Sequence, residues 1–381
     1  MNRTPYELAL ESRVEGGPSE YRFHTADGVA SKQSFRTAEL LLLEALWDAD
    51  PGGLLCPEAN YGVVGTVLSA VADAVEMTES SARAVRLCER NARENDADAS
   101  VSLLADLRTL DRRFDTVAYA PKAFTPVEVG KQRIADTASR LRPGGRLYLA
   151  ASKRAGLSRY EDCLREVGTG VERIDADGDC RLLAATRPEV ASADGGAGPP
   201  TYVSPREKRP TVDGVDLPLV TVPGLFSATG LDDGTRLLLE SATVRGGERV
   251  LDLCCGYGPV GVYAARTADA EVWLTDDDRI ATRCAECSLR TAGVHGRVVT
   301  ADCLDGVAGR TFDAVLCNPP THAGSGVLSE LLGGARNVLA TDGRLRFVHH
   351  RDLDLRPHLS RFGTVERVRT GEEHVVLEAR P

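Results

Sequence analysis

Between Val250 and Asp276 the chain runs Val-Leu-Asp-Leu-Cys-Cys-Gly-Tyr-Gly-Pro-Val-Gly, then a helix-like stretch, then Val-Trp-Leu-Thr-Asp. Gly256, Gly258 and Gly261 fit the spacing G-x-G-x-x-G, and Asp276 follows at the distance a dinucleotide fingerprint asks for. Glycine turns of this kind let the backbone approach a ligand where a Cβ would clash. By that pattern alone the chain reads as a nicotinamide-dependent dehydrogenase. Two further features redirect the reading. An acid, Asp252, stands inside the first apolar run, and a later run ends in Cys317-Asn318-Pro319-Pro320. The side-chain oxygen of Asn318 and the carbonyl of Pro319 can accept both hydrogens of an amine, while the prolines stiffen the segment. That is chemistry for orienting a weakly nucleophilic planar nitrogen. Each piece alone also has a plain reading, as a tight turn with surface acids or an Asn-Pro turn after a strand.

These residues need elements to hold them. Apolar runs and helical periodicity predict helix 234–243, strand 249–254, helix 259–267, strand 271–275 and helix 278–291. Strands 297–300 and 312–317, helix 326–339 and strand 343–348 follow, and short strands 364–369 and 374–379 close the order. Residues 215–222 alternate as a strand ahead of the Pro223-Gly224-Leu225-Phe226-Ser227 loop. Alternating elements of this kind predict an α/β fold, a mostly parallel sheet with helices on both faces.

The same order occurs twice. Gly28-Val-Ala-Ser31 and Leu41-Leu-Leu-Glu44 recur as Gly224-Leu-Phe-Ser227 and Leu237-Leu-Leu-Glu240, and Asn60-Tyr-Gly-Val-Val-Gly65 as Gly256-Tyr-Gly-Pro-Val-Gly261. Phe114-Asp115 matches Phe312-Asp313, and Gly145-Arg-Leu147 matches Gly343-Arg-Leu345. Two copies this far apart are a domain duplication. The stretch EVASADGGAGPP has linker composition, so the expected division is a first domain over 1–188, a linker over 189–212 and a second domain over 213–381. The copies differ where chemistry is at stake. Cys56 stands in the place of Asp252, Asn60 in that of Gly256, and Ala120-Pro121-Lys122 in that of Asn318-Pro319-Pro320; Glu79 matches Asp276.

Composition narrows the setting. A chain of 381 residues exceeds one typical core, and 42% hydrophobic with 27% charged residues is a globular balance. The polar start MNRTPYELALESRVEGG predicts no signal peptide, and no apolar run is long enough to span a membrane. Ten scattered cysteines predict reduced thiols in a cytoplasm. Cys284-Ala-Glu-Cys287 has ligand-like spacing without a second pair and reads as core thiols, so no metal is expected. A net charge of −10 leaves nucleic-acid contact to local patches. Candidates are the cluster 204–210, the strand end His349-His350-Arg351 with Arg344 and Arg346, and Lys122 with Phe124; solvated faces are the plain alternative.

The segments GLFSATGLDDGTRLLLE, RVLDLCCGYGPVGV, WLTDDDRIA, TADC and FDAVLCNPPTHAG resemble the ribosomal RNA guanine-N2 methyltransferase family. They are similar in particular to its bacterial small-subunit type, built from two tandem Rossmann-like methyltransferase domains of which the first has lost the cofactor site. The resemblance covers 213–381 well and the first half as a degenerate copy. It implies S-adenosyl-L-methionine as cofactor, held by Asp252 near the ammonium end, Gly256 and Gly258 at the turn, Asp276 on the ribose and Asp302 toward the adenine. It implies Asn318, Pro319 and Pro320 as the catalytic loop, Thr321, His322 and Phe226 as substrate contacts, and ribosomal RNA or a ribosomal subunit as partner. Methyl transfer of this kind asks for positioning, with neither metal nor covalent nucleophile. The chain departs from the family at Cys254, where a third glycine is usual, and at Thr321, where an aromatic residue usually stacks on the base. Other acceptors that Asn-Pro-Pro serves are adenine N6 and protein glutamine. A non-catalytic RNA-binding or assembly factor with a vestigial site is the reading from a different class.

Overall fold

The structure, a computed structural model, describes residues 5–12, 17–189 and 199–381. It divides into two compact units, Asn2–Ser204 and Pro205–Pro381. In the first, a hairpin of β1 (Tyr6–Glu11) and β2 (Glu20–Thr25) precedes α1 (Thr37–Leu46). Then come β3 (Gly53–Pro57), α2 (Val63–Leu68), β4 (Ala74–Glu79), α3 (Ala82–Glu94), β5 (Ala99–Leu103) and β6 (Phe114–Tyr119). The unit ends with α4 (Val127–Arg140), β7 (Leu141–Ser152), α5 (Leu157–Val167), β8 (Thr169–Asp177) and β9 (Cys180–Thr186).

The second unit begins with two small hairpins, in which β10 (Arg206–Lys208) pairs with β13 (Leu219–Thr221) and β11 (Thr211–Val212) with β12 (Val215–Asp216). It continues with α6 (Asp233–Ser241), β14 (Arg249–Leu253), α7 (Pro259–Thr267), β15 (Glu271–Asp276), α8 (Arg279–Ala292), β16 (Arg297–Thr300) and β17 (Phe312–Cys317). It closes with α9 (Ser325–Leu328), β18 (Leu339–His350), β19 (Thr364–Thr370) and β20 (His374–Arg380).

The two seven-stranded sheets have one topology, β5-β4-β3-β6-β7-β9-β8 and β16-β15-β14-β17-β18-β20-β19. Five strands of each are parallel, and β9 and β20 insert antiparallel next to β7 and β18. Even the irregularity recurs, as a register shift between Phe114 and Thr116 and again between Phe312 and Ala314. The expected duplication and α/β class are therefore the fold that forms. A strand buried on both faces reads as an unbroken apolar run, as here. Alternate residues of β14 enter separate cores: Val250 packs on the α6–α7–α8 side, while Leu251 and Leu253 face the side of β17, α9 and Phe347.

Several boundaries coincide with expectation, among them Pro259–Thr267, Arg297–Thr300 and Phe312–Cys317. Helix 326–339 forms as a continuous helical stretch over 325–338, but not as a regular α-helix throughout. After the single turn of α9 the chain widens into a π turn over Ser329–Gly333 and tightens into a 3-10 turn over Arg336–Val338. The adjacent Gly333 and Gly334 lie where the π turn ends and the chain is closely packed. A Cβ at Gly333 would lie 3.1 Å from the His358 carbonyl, and one at Gly334 would lie 2.9 Å from Leu304. Glycine is also a poor helix former. The expected strand 215–222 is two short strands.

Residues 190–198 of the expected linker lie outside the described residues. The rest of it is not featureless. Tyr202 and Val203 donate backbone N–H groups to Gln132 Oε1 at 2.7 and 3.1 Å, and Lys131 sits 4.0 Å over the Tyr202 ring. β10 and β11 occupy the remainder.

α7 crosses β15 at Gly261, where a Cβ would fall 2.4 Å from Leu274 Cδ2 in a fully buried setting. Gly261→Ala should therefore overpack the second unit and cost about 1–3 kcal/mol. Urea unfolding of the full chain checks this, and an unshifted transition would contradict the close crossing.

Candidate active site

Strand order reverses between β14 and β17, and in open α/β sheets ligands bind outside the carboxyl ends of the strands at such a switch point. Parallel register brings the candidate residues to that edge. Leu253 pairs with both Thr275 and Cys317, and Asp276 pairs with Thr300. The turn after Leu253, then Asp276, Asp302 and Asn318 thus end four neighbouring strands.

The turn has three left-handed residues: Cys254 at φ 62°, Gly256 at 55° and Gly258 at 87°. Cys254, which stands where a third glycine was expected, adopts the left-handed conformation despite its Cβ. The glycines differ in what they make room for. A Cβ on Gly256 would meet nothing within 4 Å, so this is where a ligand can come close. A Cβ on Gly258 would lie 3.1 Å from Ala285 Cβ and 3.2 Å from Leu274 Cδ2. The lack of a side chain at Gly258 therefore admits α8, a packing reason beside the ligand contact expected there.

Two acids hold the turn from either end. Asp252 is buried and its Oδ2 accepts from Gly261 N at 2.8 Å. Asp276 accepts from Gly256 N at 2.8 Å through Oδ2 and from Asp278 N at 3.0 Å through Oδ1. Burial pushes the Asp252 carboxyl up to about 8, against the Gly261 hydrogen bond and with a small push from the Asp276 charge. Burial raises Asp276 as well. Asp302 is buried beyond β16, close to Cys303 and Glu330, with one potential ligand atom from each within 4.8 Å of the others. All three make further interactions, and such a grouping alone does not make a metal centre.

Asn318 is half-buried, Pro319 buried, and Thr321 and His322 exposed. Ala323 N donates to the Pro320 carbonyl at 2.9 Å and closes the loop. Asn318 Nδ2 donates to Asp232 Oδ2 at 3.0 Å and to Thr235 Oγ1 at 2.9 Å. Asp232 caps α6, accepting from Gly234 N and Thr235 N. These two partners were missed in the sequence, where an Asp ahead of a helix reads as a cap and nothing more. Phe226 is 68% exposed, in a loop tied to the glycine turn by Tyr257, whose hydroxyl donates to the Gly230 carbonyl at 3.1 Å.

Other candidates have structural duties. Arg344 pairs with Glu248 at 2.9 Å and Arg346 with Glu378, both nearly buried, which removes them from a phosphate-binding rim. Cys284 is in the core, but Cys287 is half-buried and accepts from Arg290, so the thiols are not a core pair.

The first unit keeps the turn without the opening. Glu58 and Asn60 are left-handed at φ 53° and 62°, as Cys254 and Gly256 are. Asn60 is fully buried and bonds back to Ala30 N and O. Glu79 accepts from Asn60 N at 2.6 Å and pairs with Lys122 Nζ at 2.6 Å. Glu58 binds Arg133 at 2.8 Å, Tyr119 OH at 2.9 Å and Thr125 Oγ1 at 2.7 Å. Burial alone would raise the Glu58 carboxyl, but Arg133 and Lys122 outweigh it and hold it below its usual range. Lys122 is thus an internal counter-ion, whereas Phe124 is 69% exposed.

This fold, with its glycine-turn crevice, is that of a methyltransferase, as the family pattern shows. The chain belongs to the methyltransferase small domain family, whose pattern it matches twice, over residues 20–183 and 216–378. It is 33% identical to ribosomal RNA small subunit methyltransferase C of Pseudomonas aeruginosa (strain UCBPP-PA14) over 293 residues, 72% of this chain and 85% of the relative. It is 31% identical to ribosomal RNA large subunit methyltransferase G of Pseudomonas syringae pv. tomato over 332 residues, 84% and 85% of the two chains. A solved T. thermophilus 16S rRNA N2 G1207 methyltransferase in complex with AdoMet and guanosine shares the fold, with TM-score 0.80, 24% identity and 98% of each chain covered. Among the described residues no helix is long and apolar enough to cross a membrane.

The raised Asp252 carboxyl has a consequence for stability. An acid whose folded value lies above its unfolded value of about 4 contributes stability that is complete below that pH. The contribution is lost as pH rises through about 8. Asp252→Asn stays neutral and can still accept from Gly261 N. In ligand-free protein its unfolding midpoint should decline less between pH 4 and 8 than that of the wild type, with Asp276 retaining part of the slope. Parallel declines would contradict the buried carboxyl.

Proposed function

We propose that the chain methylates the exocyclic N2 of guanine in ribosomal RNA, with the second unit performing the chemistry. The carrying observation is the placement of Asn318, at the end of the strand beside the glycine turn, with its amide nitrogen already engaged by Asp232 and Thr235. Its oxygen is left to meet an amine. The relatives named for ribosomal RNA methylation supply the substrate class.

Bound in the crevice, S-adenosylmethionine supplies a methyl group on a sulfonium sulfur. Gly256 would leave room for it, and Asp276, Asp302 and Asp252 would hold its ribose, adenine and ammonium groups. The guanine amine is a weak nucleophile because its lone pair is delocalised into the ring. Asn318 Oδ1 and the Pro319 carbonyl accept its two hydrogens and turn the lone pair toward the methyl carbon. As the N–C bond forms and the C–S bond breaks, positive charge grows on the nitrogen, and both acceptors bind its hydrogens more strongly. The surplus proton then leaves to water. With Thr321 in place of an aromatic residue, the exposed ring of Phe226 offers a face on which the base stacks, and Thr321 and His322 are further substrate contacts. A ribosomal RNA substrate places this work in the cytoplasm.

The test is to incubate the protein with unmodified ribosomal RNA and cofactor, digest the product and identify the methylated nucleoside by mass spectrometry. N2-methylguanosine is expected; N6-methyladenosine, or transfer to ribosomal protein alone, would replace the reading. In the same assay Asn318→Ala should abolish transfer with cofactor affinity changed no more than about threefold, as expected for a contact to the acceptor alone. Asp276→Ala should weaken cofactor binding by about 1–3 kcal/mol by leaving polar groups unpaired.

We further assign the first unit to holding substrate rather than to chemistry, because Lys122, Arg133 and the Asn60 side chain fill its crevice. Calorimetric titration of the full chain should give one cofactor site; two sites would overturn this assignment.

A further inference from the structure

We propose that Asp232 and Thr235 are positioning residues that lock the Asn318 amide in one orientation, so that Asn318 and Pro319 offer hydrogen-bond acceptors and no donor to the acceptor nitrogen. The proposal rests on the reading of Asn318 as the residue that meets the acceptor amine.

A side-chain amide has two faces that differ in chemistry: a nitrogen with two hydrogens and an oxygen with two lone pairs. Left free at the end of β17, Asn318 could present either. Both hydrogens are spoken for, at 3.0 Å by Asp232 Oδ2 and at 2.9 Å by Thr235 Oγ1. Rotating the amide by half a turn would set its oxygen against a carboxylate. The lock is itself held firmly. Asp232 caps α6 through Gly234 N at 3.2 Å and Thr235 N at 2.7 Å, and Thr235 is buried. The far end of α6 is bonded to the sheet, where Arg346 donates to the Ser241 carbonyl and Arg344 to that of Thr243.

The duplication provides an internal comparison. Arg36 occupies the N-cap position of α1, where Asp232 caps α6, and its own N–H is accepted by Glu39; Glu39 stands in the place of Thr235, and Ala120 in that of Asn318. All three positions have changed together. In the first unit Arg36 donates to the carbonyls of Ala120 and Pro121 at 3.0 and 3.2 Å and pairs with Glu39 at 2.8 Å. The helix N-terminus holds the loop in both units, but only Asp232 and Thr235 hold it by orienting an amide.

Two consequences follow for the reaction. An acceptor-only pair selects a nucleophile that brings N–H groups, such as an exocyclic amine. It gives nothing to a ring nitrogen such as guanine N7, which has no hydrogen to donate. The carboxylate behind the amide also polarises it, so that its oxygen binds the amine hydrogens more strongly as they become acidic in the transition state. The effect therefore belongs to kcat rather than to KM.

The test uses the full chain, ribosomal RNA and S-adenosylmethionine, with kcat, KM for RNA, cofactor affinity and unfolding midpoint measured for each variant. Thr235→Val should lower kcat about tenfold, the order expected for one lost hydrogen bond. Cofactor affinity and KM should stay within about twofold, and Thr235→Ser should restore kcat. Asp232→Asn keeps a capping amide oxygen at the start of α6, although it can replace only one of the two carboxylate oxygens that accept from Gly234 N and Thr235 N. It should lower kcat in the wild-type background and raise it in the Asn318→Asp background, where it relieves two facing carboxylates. That reversal of sign is the diagnostic, because a residue that only caps α6 changes kcat in the same direction in both backgrounds. An unchanged kcat for Thr235→Val, or no reversal for Asp232→Asn, overturns the proposal. If Asn318→Ala itself turns over normally, the reading of the loop fails and this proposal with it. If Asn318→Ala is inactive and the reversal is absent, only the positioning pair fails.

Discussion

The second unit depends on a turn whose backbone N–H groups are held by carboxylates. Between Leu253 and Pro259 the chain makes three left-handed excursions, one at a cysteine, and a non-glycine residue there stores strain. Asp276 grips Gly256 N and Asp252 grips Gly261 N, so the strained segment is bonded at both ends. Withdrawing two carboxylates from water is costly, and the raised carboxyl of Asp252 expresses that cost. The same grip keeps the Gly256 backbone open on the side where no protein atom approaches. Opening and strain have one cause.

The first unit shows how much of this belongs to the fold and how much to the ligand. Topology, turn conformation and even the register shift after Phe114 are preserved there. Glu79 still accepts from Asn60 N, so the turn needs its strand-end acid whether or not a ligand binds. What has changed is the filling. A buried Lys122–Glu79 pair and a buried Glu58–Arg133 pair stand at the ends of the strands, and each charge has partners. Removing one member of such a pair leaves the other uncompensated, so the filled crevice is hard to reopen by single substitutions. The crevice of this copy is filled by a network of paired charges rather than left open.

The fold was legible because its signals are local. The alternation of apolar runs with glycine turns places strands and helices, and Pro259 at the first helical position marks the start of α7 to the residue. The repeat then multiplies the evidence. Helix 326–339 forms, but its π and 3-10 turns were not legible, because periodicity does not register how closely the His358 backbone and Leu304 approach Gly333 and Gly334. The site was legible to the extent that its residues end consecutive strands, as Asp276 and Asn318 do. Thr235 and Asp232 were not, since they reach Asn318 across 83 and 86 positions and look like an ordinary cap. Gly258 was only half-read. Spacing says that a side chain is excluded there, not whether a ligand or a helix excludes it.

A chain of net charge −10 that works on a polyanion needs its cations in the right places rather than in number. Many arginines of the second unit are committed internally: Arg344 to Glu248, Arg346 to Glu378, Arg369 to Glu240 and Arg279 to Glu286. Such pairs stiffen the sheet and its helices but give little attraction to phosphate. The catalytic loop adds no positive charge at Asn318, Pro319, Pro320 or Thr321. On the proposed function, discrimination at the site rests on neutral, directional contacts: amide and proline carbonyl oxygens for the amine, and an exposed aromatic ring for the base plane. Phosphate contacts set register and affinity without reading a base, whereas these contacts test which atoms are presented. The division suits an enzyme whose acceptor nitrogen is neutral and weakly nucleophilic, where orientation rather than charge limits the rate.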